Sequence, residues 1–223
     1  MTYAVLPSCD VIAIATAKLK ATLNNHIEDG RHFSMPSQPS QNQVNFINTP
    51  YNLTFPMKYP HQPHIHIRIA QQTLILVLPN ETLSFPISTA KNGMGERENT
   101  GCTPRGKHII SEKFGDGLPI NSVFVARQFT GEIYNAQLAT QFPNRDWILS
   151  RILWLEGCED GINKGKNEHG VCDTKARYIY IHGTPDSEPM GVPLSHGCIR
   201  MRNADIIQLF DWVAIGTPMM IEM

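Results

Sequence analysis

The sequence predicts a mainly β fold with one late helix, and three observations carry that prediction. Ile65, Ile67 and Ile69 alternate with His64, His66 and Arg68, the period-two pattern of a half-buried strand. Short runs of strand-forming residues then recur between turn residues to the end of the chain. Helical spacing of apolar residues returns only late, at Ile206, Ile207, Phe210 and Val213. Many short strands with one helix suit a β-sandwich or distorted barrel.

The elements follow in order. Val11, Ile12, Ala15, Leu19, Thr22 and Leu23 have the spacing of an amphipathic helix over about residues 10–25, with Ser8 or Asp10 as N-cap. Residues 31–63 hold six of the sixteen prolines and only Arg31 and Lys58 as formal charges, so they read as an extended connector. A boundary is placed there, giving an N-terminal extension over 1–63 and a second domain over 64–223. After the strand at 64–69, Thr73–Leu78 and Thr82–Ser88 flank Pro79-Asn80-Glu81 as a hairpin. The His64-x-His66 pair is expected on the exposed face of its strand. Further strands are expected at 107–113, 122–127, 147–155 and 177–183. A helix capped by Asn203 follows, and Pro218–Glu222 forms a last strand.

Composition narrows the function. A chain of 223 residues can bury roughly 70% of its unfolded surface without metal or disulfide staples. Nineteen basic against twenty acidic residues leave a net charge of −1, which argues against a nucleic-acid partner. No run approaches eighteen apolar residues, so no membrane-spanning helix is expected. The first basic residue, Lys18, follows the apolar stretch Val11–Ala17 instead of preceding it, so no signal peptide is read and a cytoplasmic location is expected. The periplasm is the alternative if the true N-terminus differs. Five cysteines are too few for a disulfide scaffold, although Cys158 and Cys172 could close a loop in an exported protein.

The segment from Tyr178 to Asn203 carries the chemistry. On a strand, Tyr178, Tyr180 and His182 share one face, and His182 ends it just before Gly183-Thr184-Pro185 turns the chain. Sixteen residues later stands Ser195-His196-Gly197-Cys198-Ile199-Arg200. A glycine beside a cysteine lets successive amides converge on one spot, where they can stabilise an oxyanion. A neighbouring imidazole, from His182 or His196, can take the thiol proton or lower its pKa as an ion pair. Arg200 adds positive charge suited to a carboxylate. Against this stands the structural reading, in which a cysteine is a small buried hydrophobe; it is preferred for Cys9, Cys102 and Cys158. His182, His196, Cys198, His169 and Cys172 are also zinc-ligand types, but without C-x-x-C or H-x-x-x-H spacing no metal is expected.

These residues resemble the active-site signature of the L,D-transpeptidase (YkuD-like) family. The resemblance runs over residues 64–223 and includes Phe85-Pro86-Ile87-Ser88-Thr89, followed by Ala90 where glycine is commoner, and Thr103-Pro104-Arg105-Gly106. It implies a β-sandwich-like catalytic domain with Cys198 as nucleophile, His182 as general base and the Gly183 carbonyl orienting the imidazole. Amides of Gly197 and Cys198 would form the oxyanion hole. Ser195, His196, Arg200 and Tyr180 would line or shape the site, with Arg200 facing substrate or bracing the loop. No cofactor is implied.

The resemblance also implies a peptidoglycan stem tetrapeptide as acyl donor, cleaved before its terminal D-alanine through a thioester. With water as acceptor the enzyme is an L,D-carboxypeptidase acting on soluble muropeptides in recycling, the reading favoured for a chain without an export signal. With an amine of another stem it is a cross-linking L,D-transpeptidase. A carbapenem would be a covalent inhibitor. A non-catalytic wall-peptide binding module and a zinc hydrolase are the remoter readings. Finally, the Gly-rich, charged stretch Glu156–Lys175 is expected to form part of a lid over the donor site.

Overall fold

The computed structural model describes residues 62–223. The expected helix at 10–25, its caps and nearly all of the connector lie outside the described residues. The described chain is mainly β, as its alternation predicts, and most of its strands join one ten-stranded sheet curled as a half-barrel.

The strands of the main path are β1 (His64–Arg68), β2 (Thr73–Val77), β3 (Thr82–Pro86), β4 (Gly106–Phe114), β7 (Ile148–Gly157), β10 (Tyr180–Gly183), β11 (Ile199–Met201) and β12 (Pro218–Glu222). They lie in the order β11-β10-β7-β4-β12-β1-β2-β3. Strands β5 (Ser122–Val125) and β6 (Gln128–Ile133) form a hairpin that joins β7 through β5. A small separate hairpin pairs β8 (Lys166–Asn167) with β9 (Gly170–Val171). Helix α1 (Ala136–Gln141) is a short turn capped by the Asn135 side chain, and α2 (Asn203–Trp212) is the expected late helix. Ile206, Leu209 and Phe210 of α2 are buried in the same core as Ile65, Leu153, Ile181, Ile199 and Ile221.

Three expectations are corrected. His64 and His66 are not on an exposed face, being 6% and 3% accessible. Strand β1 lies inside the sheet, parallel to β12 and antiparallel to β2, and residues on both of its faces are buried. Tyr178 does not share the strand face of Tyr180 and His182. It precedes β10 in a left-handed conformation (φ +57°) and is 56% exposed. Asn203 is not the N-cap of α2. Arg202 holds that place, while the Asn203 side chain is buried, donating to Thr184 O at 2.8 Å and accepting from Ser150 Oγ at 2.6 Å.

The Glu156–Lys175 stretch, expected as part of a lid, is anchored at its centre as a wall. Asn163 is fully buried at its centre, donating to the carbonyls of Arg105 (2.8 Å) and Lys107 (3.2 Å) and accepting from Glu159 N (2.9 Å). The wall packs on the 95–97 backbone around a cavity of about 600 Å³ that neither His182 nor Cys198 lines. Cys158 and Cys172 are not joined by a disulfide.

Candidate active site

Parallel pairing of β10 with β11 assembles the site. Ile181 pairs with Ile199 and His182 with Arg200, so Tyr180 and Cys198 stand side by side one step earlier. The Tyr180 amide donates to Cys198 Sγ at 3.4 Å, and the thiol in turn faces Tyr178 O at 3.5 Å. The sulfur therefore lies against the backbone at the start of β10, the strand that carries His182. Tyr180, Phe124 and Ile152 form a small apolar cluster against which Cys198 packs.

His182 is buried, and its Nδ1 lies 2.8 Å from Gly183 O. A carbonyl oxygen only accepts, so Nδ1 carries the proton and Nε2 presents its lone pair. Gly183 is required by close approach: a Cβ there would stand 2.6 Å from both Leu149 O and Asn203 Oδ1. The β10–β7 register shifts between His182 and Gly183, an irregularity at the last residue of the strand.

Residues distant in sequence brace the loop before Cys198. Ser195 Oγ donates to Cys198 O at 2.5 Å and accepts from Gly197 N at 3.3 Å. Thr103 Oγ1 donates to Gly197 O at 2.9 Å, and Gly197 itself has φ +133°, open only to glycine. Ser88 exchanges backbone hydrogen bonds with Arg200, and its hydroxyl donates to Val192 O at 2.7 Å. The Thr89 amide is held by buried Gln72. Thus the 85–89 and 103–106 segments are the frame of the nucleophile loop. Gly197 N–H, one of the two expected oxyanion donors, is engaged by Ser195 in this state.

Arg200 is buried and turned to carboxylates, with Nη2 2.7 Å from Asp146 Oδ1 and Nη1 3.8 Å from Glu188 Oε2. His196 is exposed, 3.8 Å from Asp146 Oδ2, and borders a cavity of about 430 Å³ with Glu98, Asn99, Arg177, Tyr178 and Ile179. Tyr180 is buried and its hydroxyl accepts from Arg127 Nη1 at 2.9 Å. Asp146, Arg127, Arg177 and Trp154 had no sequence signal, because each reaches the site from a separate loop or strand. Among the described residues, no three His, Cys, Asp or Glu side chains are grouped to hold a metal ion.

Burial decides the resting protonation. It pushes the Cys198 thiol up to about 11, with the Asp146 charge adding to the rise and the Tyr180 amide and the Arg200 and Arg177 charges opposing it. It holds His182 below the usual imidazole range, the Gly183 carbonyl and Asp146 opposing and Arg200 assisting. Both shifts favour the uncharged forms, thiol and imidazole, over the ion pair that the sequence allows.

Residues 62–221 match the YkuD family, the L,D-transpeptidase catalytic domain, and the chain belongs to that family. The chain is similar to YqjB of Bacillus subtilis (42% identity over 22% of this chain and 27% of that protein). It is also similar to YbiS of Escherichia coli K12 (49% over 18% of this chain and 13% of that protein). The names of both provisionally assign them as L,D-transpeptidases. Among solved structures, it is similar to L,D-transpeptidase 3 from Mycobacterium tuberculosis with a faropenem-derived adduct, at 16% identity over 72% of this chain and 61% of that one, TM-score 0.43. These matches span about a quarter or less of the two curated relatives and under two thirds of the solved chain.

Proposed function

We propose that this chain is a cysteine acyltransferase that takes peptidoglycan stem tetrapeptides as acyl donors, with Cys198 as nucleophile and His182 as general base. The observation that carries the reading is the placement of Cys198 Sγ on the backbone of β10, the strand that carries His182, whose tautomer is set by Gly183 O. Nε2 takes the thiol proton as sulfur attacks the carbonyl before the terminal D-alanine. Because both partners rest neutral, the proton moves with the attack, which is general-base catalysis. The tetrahedral oxyanion is held by the amides of Cys198 and Gly197, the latter released from Ser195 Oγ. Collapse breaks the C–N bond, D-alanine leaves with the proton from His182, and a thioester remains.

Water is the acceptor in the reading we favour. His182 takes its proton, hydroxide attacks the thioester, and the sulfur leaves to be reprotonated. The net reaction is L,D-carboxypeptidase cleavage of tetrapeptide to tripeptide plus D-alanine. With a stem amine in place of water, the same acyl-enzyme would make a cross-link. Tyr180, Ser195, His196 and Arg200 line or frame the site. In this reading a carbapenem acts as a covalent inhibitor that acylates Cys198. Incubation of the protein with a disaccharide tetrapeptide, followed by mass analysis, tests the reading. Tripeptide plus D-alanine supports the carboxypeptidase, dimers the transpeptidase, and unchanged substrate overturns both.

A further inference from the structure

Three arginines border the neighbourhood of Cys198, and they differ in what they hold. Arg200 is matched by Asp146 and Glu188. Arg177 is occupied by the carbonyls of Gly95, Glu96 and Cys102 at 3.1, 2.7 and 2.6 Å. Arg127 makes one hydrogen bond, to Tyr180 Oη, and no ion pair among the described residues. Its guanidinium lies 4.3 Å from the Trp154 ring centre and 5.3 Å from that of Tyr178, rings that stack on each other at 6.0 Å. Four of its five N–H donors have no hydrogen-bond partner in the described structure.

The backbone around this group is unusual. Ala126 and Arg127 form the two-residue turn of the β5–β6 hairpin with φ +47° and +68°, a turn normally made by Asn-Gly or Gly-Gly. Tyr178, in ring contact with Arg127, is likewise left-handed at φ +57°. Non-glycine residues in such conformations gather at ligand clamps and active sites. The platform also touches the nucleophile's setting, since Tyr178 O and Tyr180 N are the backbone partners of Cys198 Sγ.

We infer that Arg127 is a specificity-determining residue that binds a carboxylate of the acyl donor, with Trp154 and Tyr178 fixing the plane of its guanidinium. The inference rests on the proposed acyl-transfer reading. A guanidinium held flat on aromatic rings presents its edge, and that edge matches a carboxylate bidentately. The partly buried position of Arg127 strengthens such a contact, and no protein carboxylate competes for it among the described residues. A tetrapeptide donor offers two carboxylates, at the terminal D-alanine and, where the third residue is diaminopimelate, on that side chain. Both present the same chemistry to Arg127.

The test measures binding of three tetrapeptides to the full chain carrying Cys198→Ala, with and without Arg127→Gln or Arg127→Lys. One peptide is the free acid, one is amidated at the terminal D-alanine, and one is amidated on the third side chain. Arg127→Gln is expected to weaken the free acid about 10–100-fold, the range for a charge-assisted hydrogen bond. It should leave one of the two amides unaffected, which identifies the carboxylate held. Arg127→Lys should fall between. Equal losses on all three peptides, as a merely structural role or misfolding would give, overturn the inference, as does an unchanged free acid or no binding at all. Turnover by the wild-type protein is scored separately. Tetrapeptide that binds through Arg127 but is not cleaved sinks the reaction and not the subsite, and cleavage insensitive to Arg127 does the reverse.

Discussion

His108 and His182 are both buried on strands and both held below the usual imidazole range by desolvation, yet their surroundings give them opposite uses. His108 has both ring nitrogens occupied, Nδ1 by Gly106 O at 2.9 Å and Nε2 by Thr174 Oγ1 at 3.0 Å. Among the described residues, His182 has only Nδ1 occupied, by Gly183 O. The cysteines divide the same way. Cys172 is buried against the carbonyls of Lys164 and Gly165, whereas Cys198 keeps part of its surface open and packs beside the end of β10. A saturated histidine fastens a wall to the sheet; a half-saturated one has a lone pair to offer. Burial and shifted pKa alone do not separate the two regions, but the count of satisfied atoms does.

The strongest way to break this contrast is at the cysteines. Cys198→Ala should abolish acyl-enzyme formation and tetrapeptide cleavage while Tm changes little, because Ala fills nearly the same space. Intact-protein mass after carbapenem treatment reads this directly: one adduct on wild type and none on the variant. An adduct that persists without Cys198 would falsify the assignment of the nucleophile.

The histidines come next. His182→Gln should lower kcat by about 10²–10⁴, the usual contribution of a positioned base. His108→Gln should leave kcat within a few-fold and lower stability instead, by about 1–3 kcal/mol for the buried partners left unsatisfied. Steady-state kinetics and thermal unfolding of the pair give the two readouts. If His108→Gln were the one to lose turnover, the atom-count argument would fail.

The pH dependence sharpens the same point. Burial lowers His108 to about 4 in the fold, against 6.5 when unfolded. Between those values the unfolded chain binds the extra proton, so stability is complete above about pH 6.5 and is lost as pH falls toward 4. The shift corresponds to about 3 kcal/mol. Tm of wild type should fall across this window, and the fall should be shallower in His108→Gln. His182, also lowered by burial, adds to the same trend and should keep the acid limb of kcat/KM below pH 6.5. An acid limb above pH 7 would contradict a neutral resting pair.

How far all this could be read from the chain depends on where each partner lies. The alternation at 65–69 and the two short motifs at 182–183 and 195–200 are local, so the strands and the candidate residues Cys198 and His182 are visible in one dimension. The burial of His64 and His66 is not, because alternation shows only that the two faces of the strand differ in polarity, and what covers the second face is not written in local spacing. Asn203 has the chemistry of a cap, but Ser150 and Thr184 offer it buried partners that local spacing cannot show. The 156–175 stretch shows a related limit: Gly and charge mark a loop, while only the contacts of Asn163 reveal that it is anchored. Arg127 and Asp146 reach the site from a hairpin tip and a loop that carry no motif.

Asn163 tests the anchored wall. Asn163→Ala removes the donors to Arg105 O and Lys107 O and the acceptor for Glu159 N, all in a fully buried setting. It should destabilise by about 2–4 kcal/mol, several unsatisfied groups acting together. The expected readout is a lower Tm with kcat largely kept below the new transition. A large loss of kcat without a change in Tm would restore the lid.

The smallest effect is expected at Cys172. Burial and the neighbouring charges of Asp173 and Glu96 raise its thiol pKa, so it stays protonated across the neutral range. Its sulfur lies 3.8 and 3.6 Å from the carbonyls of Lys164 and Gly165, contacts that a serine hydroxyl can replace with shorter bonds. Cys172→Ser should therefore shift stability by less than about 1 kcal/mol, since a lost sulfur contact is offset by a better donor. Cleavage and carbapenem labelling should match wild type. In the folded protein a thiol reagent should modify Cys198 well before Cys172, because Cys198 is partly open and, in the proposed mechanism, has His182 to take its proton. Equal labelling rates for the two cysteines would mean that the difference between the regions lies in accessibility alone, and that His182 contributes nothing to the reactivity of Cys198.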